Sequence, residues 1–276
     1  MPELIIENIH ETYNFKLLKE VYYQILLPCF PDPEDHLDWR TMKKMVKRSF
    51  KDPSCNEKIL ISVSCQIMPD GEKKPVSFFV GIYYRRSATG LISYMGMRDG
   101  CRGLSASNIQ KQVLIEMEKT ATLYHSHLRA VFSLVDLPEK ADSRYITLPP
   151  VQRIRIMERN GARYIPIDFY YPAFDKGVIF PIKKRVSYKD DAALLGYKLH
   201  GSIPTENPKD IENFIDDFYR SYGIDPAKDH VVEGMHHALK NMEKGVEIKL
   251  SKQYRKSDPS VLSCQTERRV SSCISA

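Results

Sequence analysis

Residues 91–121 read LISYMGMRDG CRGLSASNIQ KQVLIEMEKT A, and the reading of this stretch decides the fold. Leu91 to Met97 is an apolar run of strand length. Arg98-Asp99-Gly100-Cys101 is a turn. Arg102-Gly103-Leu104-Ser105-Ala106-Ser107 then opens a long helical pattern, in which Ile109, Val113, Leu114 and Met117 recur at helical spacing without an intervening Pro or Gly. A strand, a turn of small residues and a helix N-terminus together make an anion site. Unpaired N–H groups point out of the first helical turn, small side chains let a phosphate approach them, and Arg102 adds a charged fork. A plain strand–loop–helix connection with a Ser cap has the same local pattern. No Gly-Lys-Ser/Thr follows, so this is not a Walker A loop, and two of the glycines of a dinucleotide-binding turn are missing.

Outward from this stretch, the chain has 276 residues, enough for one large domain or two small ones. Its apolar share of 42% is enough to build a core. The formal charge of +6 comes from 41 basic and 35 acidic residues spread along the chain. It suits an anionic cofactor and falls short of a nucleic-acid footprint. No apolar run is long enough for a membrane span, and the acidic start MPELIIENIHE has no signal-peptide core. Cysteines at 29, 55, 65, 101, 264 and 273 form no Cys-x-x-Cys pair, which predicts reduced thiols in a cytoplasmic protein.

Before the central stretch, a short strand is expected at Leu4-Ile5-Ile6, a helix over 13–27 broken by Pro28, and a second helix from Leu37 to Phe50 carrying Trp39. Strands follow over 57–68 and 75–84, and a hairpin turn at 85–90 leads into the central strand. After the central helix come a strand at 128–135, a polar loop ending in Pro149-Pro150, a helix to Arg159 stopped by Asn160-Gly161, and a strand over 162–169. Two more strands are expected at 176–182 and 192–199, then a linker, helices over 209–222 and 229–242, and a mobile Ser- and Lys/Arg-rich tail over 250–276. This pattern predicts a mixed α/β sheet, of about seven strands, with helices on its faces.

Two segments carry a family resemblance. Arg102-Gly103-Leu104-Ser105-Ala106-Ser107 resembles the Arg/Gln-x-x-Gly-x-Gly/Ala loop of the GCN5-related N-acetyltransferases (GNAT), with Ser105 in place of the middle Gly. VQRIRIMERNGARYIPIDFYYPAF, from Val151, resembles the helix, Asn/Ala-Gly-Phe, strand segment of the same superfamily. The likeness spans about residues 3–200. It implies a GNAT acyl-CoA N-acyltransferase-like fold in which the central strand ends in a bulge and splays from the strand at 128–135. Acetyl-CoA (coenzyme A) would then bind through Arg102, Gly103, Leu104, Ser105, Ala106 and Ser107, with backbone groups near Met95 and Met97 at the thioester. An amine, small-molecule or peptide, would attack the thioester directly, its binding site bordered by the first two helices.

Asp136 and Glu139 are the candidate bases and Tyr145 the candidate acid of such a transfer. No metal is required. His125 and His127 read as C-terminal caps of the central helix, and His237 with Glu233 as a surface face. The organisation expected is an acyltransferase domain over 1–200, a helical extension over 201–249 and the tail. The partners expected are the amine and a second copy of the chain in a homodimer, with no nucleic acid and no membrane. The alternative is a non-catalytic GNAT-fold binding or regulatory protein.

Overall fold

A computed structural model describes residues 4–32, 36–101, 106–141, 147–172, 187–197, 199 and 207–242, with the side chains of 106–110 outside that set. The strands are β1 (Leu4–Asn8), β2 (Glu57–Ile67), β3 (Lys73–Tyr84), β4 (Thr89–Met97), β5 (Ala130–Asp136), β6 (Ala162–Tyr164), β7 (Tyr171–Pro172), β8 (Tyr188–Lys189) and β9 (Ala192–Tyr197). The helices are α1 (Ile9–Thr12), α2 (Phe15–Val21), α3 (Leu27–Cys29), α4 (Trp39–Lys51), α5 (Ala106–Leu123), α6 (Pro150–Arg159), α7 (Pro208–Ser221) and α8 (His230–Lys240).

Seven strands form one sheet in the order β1-β2-β3-β4-β5-β9-β6, and β7 pairs with β8 apart from it. β1 to β4 run as an antiparallel meander, whose hairpins need only short turns. β5 lies parallel to β4, which requires a crossover, and α5 is that crossover. β9 enters antiparallel between β5 and β6.

The strands are apolar on both faces because both faces are covered. On one face Val113, Met117 and Ala121 of α5 pack with Ile154 of α6 over Leu60, Phe79, Ile92, Val131 and Leu195. Gly81 and Gly90 let α5 come close, since a Cβ at either would meet the tip of Met117 within 2.6 Å. The other face has two helical covers. Leu18, Ile25, Met42 and Val46, from the helices before β2, pack over Ile59, Ile61, Val63 and Val80. At the far end Phe214 and Phe218 of α7, with Val232 and Met235 of α8, pack over Leu91, Phe132 and Leu194. Phe132 and Phe214 stack with centroids 4.3 Å apart.

Several boundaries differ from the sequence reading. Pro28 does not end the first long helix. A π turn at Tyr22–Leu26 precedes it, the N–H of Leu27 donates to the carbonyl of Tyr22, and the helix runs on to Cys29. This wider turn rearranges the carbonyls just ahead of the proline, where its missing N–H would otherwise break the ladder. The strand expected over 162–169 stops at Tyr164. Ile165 still donates to Leu194, but Pro166 has no N–H to continue the ladder. The small β7–β8 pair was not anticipated. The strand expected at 176–182 and the tail over 250–276 lie outside the described residues.

Candidate functional site

β4 and β5 pair over four residues only, from Thr89 with Ala130 to Ile92 with Ser133. The next residue, Ser93, is a bulge: β3 pairs Val80 with Tyr94 and Gly81 with Ile92, so Ser93 has no opposite number. A bulge adds a residue to one strand, bends it and sharpens its twist. Beyond it Tyr94 to Met97 stay with β3, while Leu134 to Asp136 stay with β9. The two central strands therefore part at Ser93. This parting is the splay that the resemblance to the GNAT superfamily implies.

No family profile and no curated protein matches the sequence. Solved structures align with the chain at low identity and low TM-score. One is a GNAT-family protein from Bacteroides thetaiotaomicron, with 14% identity and a TM-score of 0.45, covering 80% of this chain and 98% of the other. A second is an aminoglycoside 6'-N-acetyltransferase complexed with coenzyme A, with 10% identity, a TM-score of 0.41 and coverages of 72% and 97%. A third is the ribosomal-protein-S18-alanine N-acetyltransferase from Escherichia coli, with 11% identity, a TM-score of 0.39 and coverages of 71% and 93%.

The opening between β4 and β5 has definite chemistry on its β4 side. Arg98 donates its N–H to Val76 on β3. Antiparallel pairing alternates, so the N–H groups of Gly96 and Tyr94 also face β3, and those of Met95 and Met97 face the opening. The thiol of Cys29 donates to the Met97 carbonyl at 3.5 Å. Gly96 gives this corner its tightness, because a Cβ there would lie 2.7 Å from the Phe78 ring and 3.0 Å from the Cys29 sulfur. Arg102, Gly103, Leu104 and Ser105 lie outside the described residues. Ala106 and Ser107 open α5, an 18-residue helix whose N-terminus follows that loop.

A cavity of about 270 Å³ lies on the opposite face from α5, between the two helical covers. Its floor is Val80, Ile82, Leu91, Ser93 and Leu134. One wall is α4, through Met42, Met45 and Arg48; the other is the end of α7, through Phe218, Ser221 and Tyr222. Ser93 and Asp136 also line it, so the cavity reaches the place where β4 and β5 part. Burial raises the pKa of both Tyr84 and Tyr222, which keeps their hydroxyls neutral donors.

Asp136 ends β5 beside the opening and lines the cavity. Arg153 of α6 holds its Oδ2 at 2.8 Å, and the Arg153 Nε–H donates to the Leu148 carbonyl at 3.1 Å. Glu57 lies at the other end of the cavity, where the Cys55 thiol donates to it at 3.3 Å. Tyr145 lies outside the described residues, and Glu139 is exposed in the loop after β5. Trp39 does not line the cavity. It lies between Lys19 and Lys43, whose ammonium groups stand 5.6 and 5.5 Å from its ring centre.

Among the described residues no histidine lines the cavity. His125 adopts φ 54 just past α5 and terminates it, as a capping residue does. His237 bonds to Asn241, and His236 pairs with Asp216 at 3.3 Å. Among the described residues, one group has ligand atoms close enough for a metal: His10, Glu11 and Glu116. Sequence reading missed this cluster, because its members meet only across the fold. Glu116 is already engaged, accepting from Gln112 and Lys119 at 2.8 Å each and standing 3.8 Å from His10 Nε2. His10 first, and then Lys119, holds the Glu116 carboxyl down to about 2. Such a carboxylate is built for structure. Cys29, Cys55, Cys65 and Cys101 are present as thiols. No helix of the described residues is long and apolar enough to cross a membrane.

Proposed function

We propose that the protein is an acyl-CoA-dependent N-acyltransferase, moving an acetyl group from acetyl-CoA to a small amine bound in the cavity between α4 and α7. The observation that carries this reading is the parting of β4 and β5 at the Ser93 bulge, directly beside that cavity. An amide-bearing arm can pair with backbone groups at such an opening, as an added strand pairs with a sheet edge. The N–H groups facing the opening at Met95 and Met97 suit a thioester carbonyl, and the start of α5 with the 102–107 loop suits a pyrophosphate.

Acetyl-CoA supplies the activated acyl group, and the chain supplies position and proton handling. A cavity of about 270 Å³ sits at the lower end of the roughly 300–1,000 Å³ usual for small-molecule sites, which favours a small amine over a folded protein. Asp136 lies where the amine nitrogen would enter. Arg153 fixes the carboxylate through Oδ2, leaving Oδ1 to take a proton from an incoming ammonium. Tyr84 and Tyr222, both neutral, line the cavity beside the amine.

The test is free-thiol release from acetyl-CoA with a panel of polyamines, amino acids, aminoglycosides and aromatic amines. Arg102→Ala is expected to weaken acetyl-CoA binding roughly tenfold by calorimetry, the loss of about 1.5 kcal/mol for a charge-assisted bond. Met45→Trp fills the cavity and is expected to abolish amine turnover while acetyl-CoA affinity stays. The engagement of Asp136 by Arg153 favours a second reading, a non-catalytic binding protein. Thermal stabilisation by acetyl-CoA without thiol release from any amine would establish that one, and unchanged affinity in Arg102→Ala would remove the cofactor from both.

A further inference from the structure

The chain's charge is diffuse in sequence and concentrated in space. α4 reads WRTMKKMVKRSFK, with six cations and no acid in 13 residues. Arg40, Lys44, Lys47 and Lys51 are exposed and lie four, three and four residues apart, which is one face of a helix. At about 1.5 Å rise per residue they form a row with steps of roughly 6, 4.5 and 6 Å. Arg48 flanks the row, and Lys43 joins it to α2: Lys19 and Lys43 share the Trp39 ring, and Lys43 and Lys47 share the Phe15 ring, at 5.1 and 5.3 Å. Among the described residues none of the six α4 cations forms an ion pair. The acids at the helix ends are occupied elsewhere. Asp38 caps the N-terminus through Arg40 and Thr41, and Asp52 accepts from Ser54.

We propose that this face of α4 is a docking surface for the sugar-phosphate backbone of a nucleic acid, read by charge and not by sequence. A row of like charges along one helix is the electrostatic footprint of such binding. A nucleic acid presents a regular row of phosphates, one per strand for about every 3.4 Å of duplex axis, which a row of cations along a helix can follow. An acidic protein partner would require an apolar anchor at the centre of the contact, and this face has none: Met42 and Val46 are buried in the core. For the same reason the helix has no apolar face free to enter a bilayer. Trp39 and Phe15 are stacked under lysines and offer nothing to lipid. The whole-chain charge had argued against nucleic acid; the charge density of this one face argues for it. The inference stands apart from the acyl-transfer reading, because it rests on the exposed row Arg40, Lys44, Lys47 and Lys51, none of which lines the cavity.

The test measures binding of the full chain to a short labelled single-stranded RNA by anisotropy, over a range of salt. Four phosphate contacts predict a slope of about −3 in log affinity against log salt, roughly 0.7 per contact. In Lys44→Gln/Lys47→Gln the slope is expected to become shallower by about 1.4. Lys44→Arg/Lys47→Arg is expected to keep both affinity and slope. Trp39 is the chain's single tryptophan, so its fluorescence should change on binding and report this face directly. Failure to bind at low salt, or an unchanged slope in the Gln pair, would overturn the proposal. So would tighter binding to phosphatidylserine vesicles or polyglutamate than to RNA at equal salt.

Discussion

Glu116 shows how much a single residue can contribute without touching the chemistry. It is 1% exposed, on α5, with His10 nearest one carboxylate oxygen and Lys119 nearest the other. Its folded pKa of about 2 lies below the ordinary value near 4.5. A depressed carboxylate stabilises the fold above its unfolded pKa and loses that contribution as pH falls toward its folded pKa. The window is therefore about pH 4.5 to 2, and the contribution is of the order of 3 kcal/mol. Glu116→Gln should flatten the acid limb of stability against pH in that window, as measured by denaturant unfolding; a limb of unchanged steepness would assign it to other carboxylates. His125 makes a smaller case. A non-glycine residue at φ 54 pays a left-handed penalty, it is exposed, and His125→Gly should gain about 0.5–1 kcal/mol. A loss of stability in that variant would mean that the imidazole itself holds the helix end.

At the scale of the element, the sequence carried periodicity well and interruptions poorly. The strands over 57–67, 73–84 and 89–97 were legible as continuous apolar runs with clear stops, and helix α4 by its helical period. The π turn before Pro28 was not legible, because proline's missing N–H is a local fact and its accommodation is a feature of the preceding turn. A bulge at the end of the central strand was expected from family likeness; its place at Ser93, midway along β4, was not, since serine is unremarkable in a strand. Asp136 was legible as a strand-end acid; its partner Arg153, seventeen residues on in α6, was not. Helix α7 is the sharpest lesson. Its apolar side was plain, but its target became visible only in three dimensions, where Phe214 stacks on Phe132 of β5. Phe214→Ala should therefore cost about 3–5 kcal/mol, the range for a buried aromatic. A cost under 1 kcal/mol by denaturant titration would show that α7 is a loose attachment.

For the whole molecule, the cavity is a property of the ends of the chain. One wall comes from residues 42–48 and the other from 218–222, and neither helical cover could make it alone. That explains why no single motif pointed to it. The sheet order has a consequence of a different kind, in the timing of synthesis. β9 lies between β5 and β6, although both of them leave the ribosome before it. Until Ala192 emerges, β5 from Val131 to Asp136 and β6 both lack the strand that pairs with them among the described residues. At roughly 5–20 residues per second that interval lasts several seconds. An unpaired apolar strand is a template for another chain. The nascent protein is thus most exposed to mispairing late in its synthesis, and the arrival of β9 ends that exposure on both of its sides at once.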